Sequence, residues 1–178
     1  MLTRFRTGLA TLTLLLAPAA MAHGPTPQKI VETIDIAAPV DRVWALAGDF
    51  GAVAQWNPAL QSSESNKGNQ PGARRTLVFA NGEVLHEDLD AWDADKHEYQ
   101  YRMSEANVKA LPASSYSAIL RVSAAEQGTR VEWKSRAYRG DTGNEPPESL
   151  SDEAVTQALQ QFFATGLAEL KAKAEAAP

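Results

Sequence analysis

Apolar positions along this chain recur at two periods, and the switches between them predict its elements. Ile30, Ile34 and Ile36 share one parity while Thr33 and Asp35 take the other, the pattern of a half-buried strand. Ala38-Pro39 stops it, and Pro39 suits the first turn of a helix. Val40, Val43, Trp44 and Ala47 then keep helical spacing as far as Gly48. Asp49 to Trp56 reads as a second short helix, stopped by Asn57-Pro58. Alternation follows. Arg75, Leu77 and Phe79 lead into Asn81-Gly82, a hairpin signal because both residues tolerate positive φ. Leu85, Leu89 and Ala91 form the return strand, and Tyr99, Tyr101 and Met103 alternate beyond the turn Asp93-Ala94-Asp95-Lys96. Tyr116, Ala118, Leu120 and Val122 make a further strand, and Gln127-Gly128 turns into Val131, Trp133, Ser135 and Ala137. One dry and one wet face, joined by short turns, predict an antiparallel meander.

After Pro146-Pro147 the period lengthens. Val155, Leu159, Phe162, Phe163, Gly166, Leu167 and Leu170 fall on a single apolar stripe. Ser151 is placed to cap this helix, Asp152 and Glu153 sit in its first turn, and Lys171 and Lys173 near its end complement the dipole. The order is therefore strand, two short helices, about six strands and one long helix. That is an α+β layer architecture, an antiparallel sheet with its helices on one face.

Met1 to Ala22 stands apart from this pattern. Arg4 and Arg6 precede a short leucine-rich run, and Ala20-Met21-Ala22 supplies the small residues of a cleavage site. The expected organisation is a signal peptide over 1–22, a leader over 23–27 and a single domain over 28–178, with export to the periplasm. The apolar run is too short to cross a bilayer, and no later segment approaches about 20 apolar residues, so no membrane contact is expected after cleavage.

Composition narrows the chemistry. With 178 residues, 44% of them hydrophobic and 22% charged, the chain has the size and make-up of one globular domain. Its net charge of −5, with acids and bases alternating along Arg130-Val131-Glu132-Trp133-Lys134, argues against nucleic-acid binding. The absence of cysteine removes disulfides, thiolate nucleophiles, iron–sulfur clusters and the usual c-type haem attachment. No zinc, phosphate-loop, calcium or nucleophile-elbow motif occurs, and no cofactor or metal is expected. His23, as a new terminus, would offer an α-amine and an imidazole to copper, but no second histidine lies near it in sequence.

The ordered set Ile36-Ala37-Ala38-Pro39, Arg42-Val43-Trp44, Asp49-Phe50 and Trp56-Asn57-Pro58 resembles the START-like superfamily, also called SRPBCC or Bet v 1-like. Gly72 with Arg75-Thr76-Leu77, and Asn81-Gly82 with Glu87, look like its polyketide cyclase/dehydrase branch. The resemblance implies a helix-grip fold, a curved antiparallel sheet of about seven strands on a long C-terminal helix, with two short helices after the first strand. An exported chain opening His23-Gly24-Pro25-Thr26-Pro27-Gln28-Lys29 is most similar to the MxaD type. That likeness implies a periplasmic accessory role in methanol oxidation, with methanol dehydrogenase and its cytochrome c as partners.

Such a fold tends to enclose a concave, mostly apolar site for a small apolar ligand. Parity turns Glu32, Arg75 and Glu87 toward it, each among apolar neighbours. They either orient a ligand or substrate, or pair with one another or reach water at strand ends. As an enzyme, Glu87 or Glu32 would be the general base and Arg75 or a tyrosine the oxyanion partner. Tyr99 and Tyr101 can add hydroxyls, and Trp56, Phe79, Trp133, Phe162 and Phe163 complete the candidate lining or simply pack the core. His86 has the opposite parity to Glu87, and His97 is expected to be solvated.

Overall fold

A computed structural model of the protein describes residues 24–176. The signal segment 1–22 and His23, with its copper reading, lie outside the described residues. The elements run β1 (Gln28–Ile36), α1 (Val40–Ala47), a 3-10 helix (Phe50–Gln55), β2 (Leu60–Ser65), β3 (Arg74–Phe79), β4 (Val84–Asp93), β5 (Glu98–Glu105), β6 (Ala113–Ala124), β7 (Thr129–Arg139) and α2 (Asp152–Glu175). All seven strands join one antiparallel sheet in the order β1-β7-β6-β5-β4-β3-β2. The sheet curls around α2, whose buried stripe holds Val155, Leu159, Phe162, Phe163, Gly166, Leu167 and Leu170, the residues its period predicts. Ser151 caps it, its hydroxyl accepting from the Ala154 N–H at 3.2 Å.

Three close contacts fix how the connections pass α2 and the sheet. Arg139, at the end of β7, donates to the carbonyls of Asp141 and Gly143 and pairs with Asp152, fixing the connection into α2. Asn57, fully buried, donates from Nδ2 to the Phe162 carbonyl at 3.1 Å and accepts from the Ala59 N–H. This contact needs Gly166: a Cβ there would lie 2.7 Å from Asn57 Nδ2. At the other end Gly128, with φ of 90°, lets the β6–β7 turn pass against the Ile36 carbonyl.

The second short helix expected over Asp49–Trp56 is present as a 3-10 helix over Phe50–Gln55, with Asp49 and Trp56 as its caps. Asp49 accepts from the Gly51 N–H, Phe50 N–H donates to Asn69 Oδ1, and the Phe50 carbonyl is held by Arg75. Those outside partners anchor the start of this short helix to the loop before β3 and to β3 itself. The following strand, β2, has only Leu60 as an apolar residue, and Ser63 pins it, its hydroxyl donating to Gly51 O and accepting from Ala54 N–H.

Candidate functional site

Inward-facing residues of β3 and β4 meet across the Asn81-Gly82 hairpin, where the register sets Arg75 directly opposite Glu87. Both are buried, at 0% and 1% exposure. Arg75 Nε donates to Glu87 Oε2, and its Nη1 donates to the Phe50 carbonyl at 2.9 Å. The guanidinium carbon lies 4.2 Å from the centre of the Phe50 ring and 4.5 Å from that of Tyr101, so its charge also rests between two aromatic faces. The second carboxylate oxygen, Glu87 Oε1, accepts from the Tyr116 hydroxyl, which reaches across from β6. Each oxygen of Glu87 thus has a donor.

Burial by itself works against the Arg75 charge, but the Glu87 carboxylate outweighs it and holds the guanidinium above its ordinary value. The tyrosines move upward too. Burial raises all three, and the negative charge of Glu87 adds to the rise at Tyr101 and Tyr116. At Tyr99 the neighbouring Arg75 charge opposes part of it. The phenols around the Arg75–Glu87 salt bridge are therefore neutral at neutral pH. Arg75 Nη2, the Tyr99 hydroxyl and Trp56 Nε1 are buried without a hydrogen-bond partner.

The aromatic candidates continue the same cluster. Trp133 Nε1 donates to the Tyr101 hydroxyl at 2.9 Å, and Trp133 stacks on Phe163 with ring centres 4.2 Å apart. Trp56 tilts against Trp133 at 5.3 Å, and Phe162 bridges Trp133 and Phe79, each at 5.7 Å. All these side chains are buried. Glu32 is the exception. It faces inward opposite Trp133 but is half-buried, with no ion pair or side-chain hydrogen bond among the described residues. His86 turns away from Glu87 and meets Thr76, as its parity predicts. His97 is not solvated as expected: it is half-buried, at positive φ, with its ring 5.4 Å from that of Trp44.

Tyr116, Phe50 and Asn57 were not legible as parts of this site. Tyr116 did carry a signal, since it shares parity with Ala118 and Leu120, and a phenol on a dry face needs an acceptor. Phe50 contributes a backbone oxygen, which no side-chain pattern announces. Among the described residues no group of three or more His, Asp or Glu side chains is placed to hold a metal.

Where α2 meets the loop before β6, Phe79 and Phe162 reach an open cleft of about 500 Å³, bordered also by Pro58, Ala59, Leu111 and Ala158. The cleft is mostly apolar, and Phe79 and Phe162 form its boundary with the packed interior.

The sequence over residues 27–175 matches the family model described as polyketide cyclase / dehydrase and lipid transport. The chain belongs to this family. Its fold is the helix-grip, Bet v 1-like fold, shared with Ara h 8.0201 at 20% identity and a TM-score of 0.64, over 84% of this chain and 98% of that one. The protein XoxI from Bacillus cereus superposes with a TM-score of 0.69 at 22% identity, over 82% of this chain and 94% of that one. A protein from Nitrosospira multiformis is 27% identical, with a TM-score of 0.66 over 84% and 97% of the two chains. No protein of curated function matches the sequence.

Proposed function

We propose that this family member is an exported, non-catalytic accessory protein that works by contact and binding, in the periplasm and in the context of methanol oxidation. One observation carries the non-catalytic reading: both oxygens of Glu87 are occupied, by Arg75 and by Tyr116, at 1% exposure. A general base must come within reach of a substrate proton, and this carboxylate, closed from solvent with a donor already on each oxygen, offers a substrate no approach. The cyclase or dehydratase alternative is left with Glu32, which is half-buried and makes no side-chain hydrogen bond or ion pair among the described residues.

The finer context rests on the MxaD-like motifs and opening of the chain, with methanol dehydrogenase and its cytochrome c as the partners. Rates of cytochrome reduction by the dehydrogenase, with and without this protein at two ionic strengths, test it. The expected result is a faster rate whose gain shrinks as salt rises, since charge-steered encounter is screened. No change at either ionic strength would remove the assignment.

The apolar cleft favours a second reading, carriage of a small apolar ligand. Ala158→Trp fills that cleft, and it is expected to abolish binding of a medium-chain fatty acid seen by calorimetry. Undiminished binding would place the ligand elsewhere.

A further inference from the structure

Cations on the convex face of the sheet are almost all matched. Arg74, Arg102, Arg121, Arg130 and Lys134 lie beside Asp88, Asp90, Glu98, Asp35 and Glu132 respectively. Lys29 and Arg136 differ. They stand directly opposite each other on β1 and β7, both exposed, and among the described residues neither forms an ion pair. Residues 1–23 contain no acidic side chain that could serve them. Like charges facing across neighbouring strands weaken the pairing, and a chain of net charge −5 does not gather them by composition. Two positions further along β7, on the same face, Lys134 is already held by Glu132, which leaves Lys29 and Arg136 as the two open cations of this corner.

Between these cations lies a shallow depression of about 180 Å³, floored by Ser117, Ala118, Ile119 and Ser135. Val31, 39% exposed and opposite Lys134 in register, extends the apolar ground. We propose that this corner of the outer sheet is a docking site for an acidic polypeptide segment of a partner protein. Its carboxylates would meet Lys29 and Arg136 while its apolar side chains cover Ile119 and Val31. The cations are strung along two strands with apolar ground between them, spacing that fits an extended chain. A compact phosphate would call for donors converging on one point. The proposal rests on the contact-acting reading for the kind of partner, though not for the place.

The test is a titration of the isotope-labelled protein with a short peptide alternating Glu and Ala, followed by amide shifts. Shifts centred on Lys29–Val31, Ile119 and Lys134–Arg136, weakening with salt, are expected. Lys29→Glu should bind roughly tenfold more weakly while raising the thermal midpoint, because Arg136 then faces an opposite charge. Lys67→Glu, the same charge change on the exposed loop before β3, should do neither. Shifts elsewhere, unchanged binding by Lys29→Glu or a lowered midpoint would overturn the site. So would inorganic phosphate or anionic vesicles moving these amides when the peptide does not. Neither the dehydrogenase nor the cytochrome enters this titration, so its failure is separable from failure of the methanol-oxidation assignment.

Discussion

Within β3, a guanidinium without solvent contact depends on the carboxylate opposite it, because either charge alone in this interior would be uncompensated. Arg75→Met or Glu87→Leu alone should lower unfolding free energy by about 3–5 kcal/mol. Arg75→Met/Glu87→Leu/Tyr116→Phe together should recover most of it. Urea denaturation of the variants distinguishes the two outcomes, and a triple variant as unstable as the singles would refute pairing as the main role. Shared inward parity and near-equal distance from the Asn81-Gly82 turn made an Arg75–Glu87 pair one of the readings open in the sequence. Occupancy of the second oxygen was not legible, since Tyr116 lies two strands away and its reach depends on the curl of the sheet. Gly166 argues in the same manner. Alanine is the better helix former by about 1 kcal/mol, yet Gly166→Ala should destabilise by about 1–3 kcal/mol, because its Cβ overpacks against Asn57 and Trp56. A stabilised Gly166→Ala protein would contradict the close approach.

At the scale of elements, α2 carries the strongest periodic signal and formed as read, with Ser151 as its cap. Ser151→Ala should lower stability by about 1 kcal/mol, checked by thermal unfolding. The strands with clean alternation were equally legible. β2 was not, for its sequence Leu60-Gln61-Ser62-Ser63-Glu64-Ser65 has a single apolar position, and hydrogen bonds from the neighbouring 3-10 turn hold it. The short helix before it was legible from its stop at Asn57-Pro58, but its 3-10 form was not. Tertiary contacts anchor it: Phe50 N–H donates to Asn69, and the Phe50 carbonyl accepts from Arg75.

Over the whole molecule, exposed and half-buried ion pairs make stability depend on acid. Hydrogen bonds from Arg130, Arg74 and Lys96 hold Asp35, Asp88 and Asp93 below the ordinary 3.8. The Ala37 N–H and Lys171 hold Glu175 below 4.5. Burial opposes the charge of Glu98, but Gln100 and Arg121 outweigh it and lower that carboxyl as well. The folded state binds fewer protons than the unfolded chain here, so this stability is present above about pH 4.5 and lost as pH falls through the depressed values. Urea midpoints should fall below that pH, and midpoints that rise would reverse the sign of the account. The family and fold were legible because order, turns and motifs all point one way. Which face meets a partner was not, since it depends on which cations the register leaves unmatched. The central claim is that the interior ion pair stabilises the fold while function lies in surface contacts. Its most direct test is the cytochrome-reduction assay on the folded Arg75→Met/Glu87→Leu/Tyr116→Phe protein: unchanged stimulation is predicted, and a well-folded variant that has lost it would contradict the account.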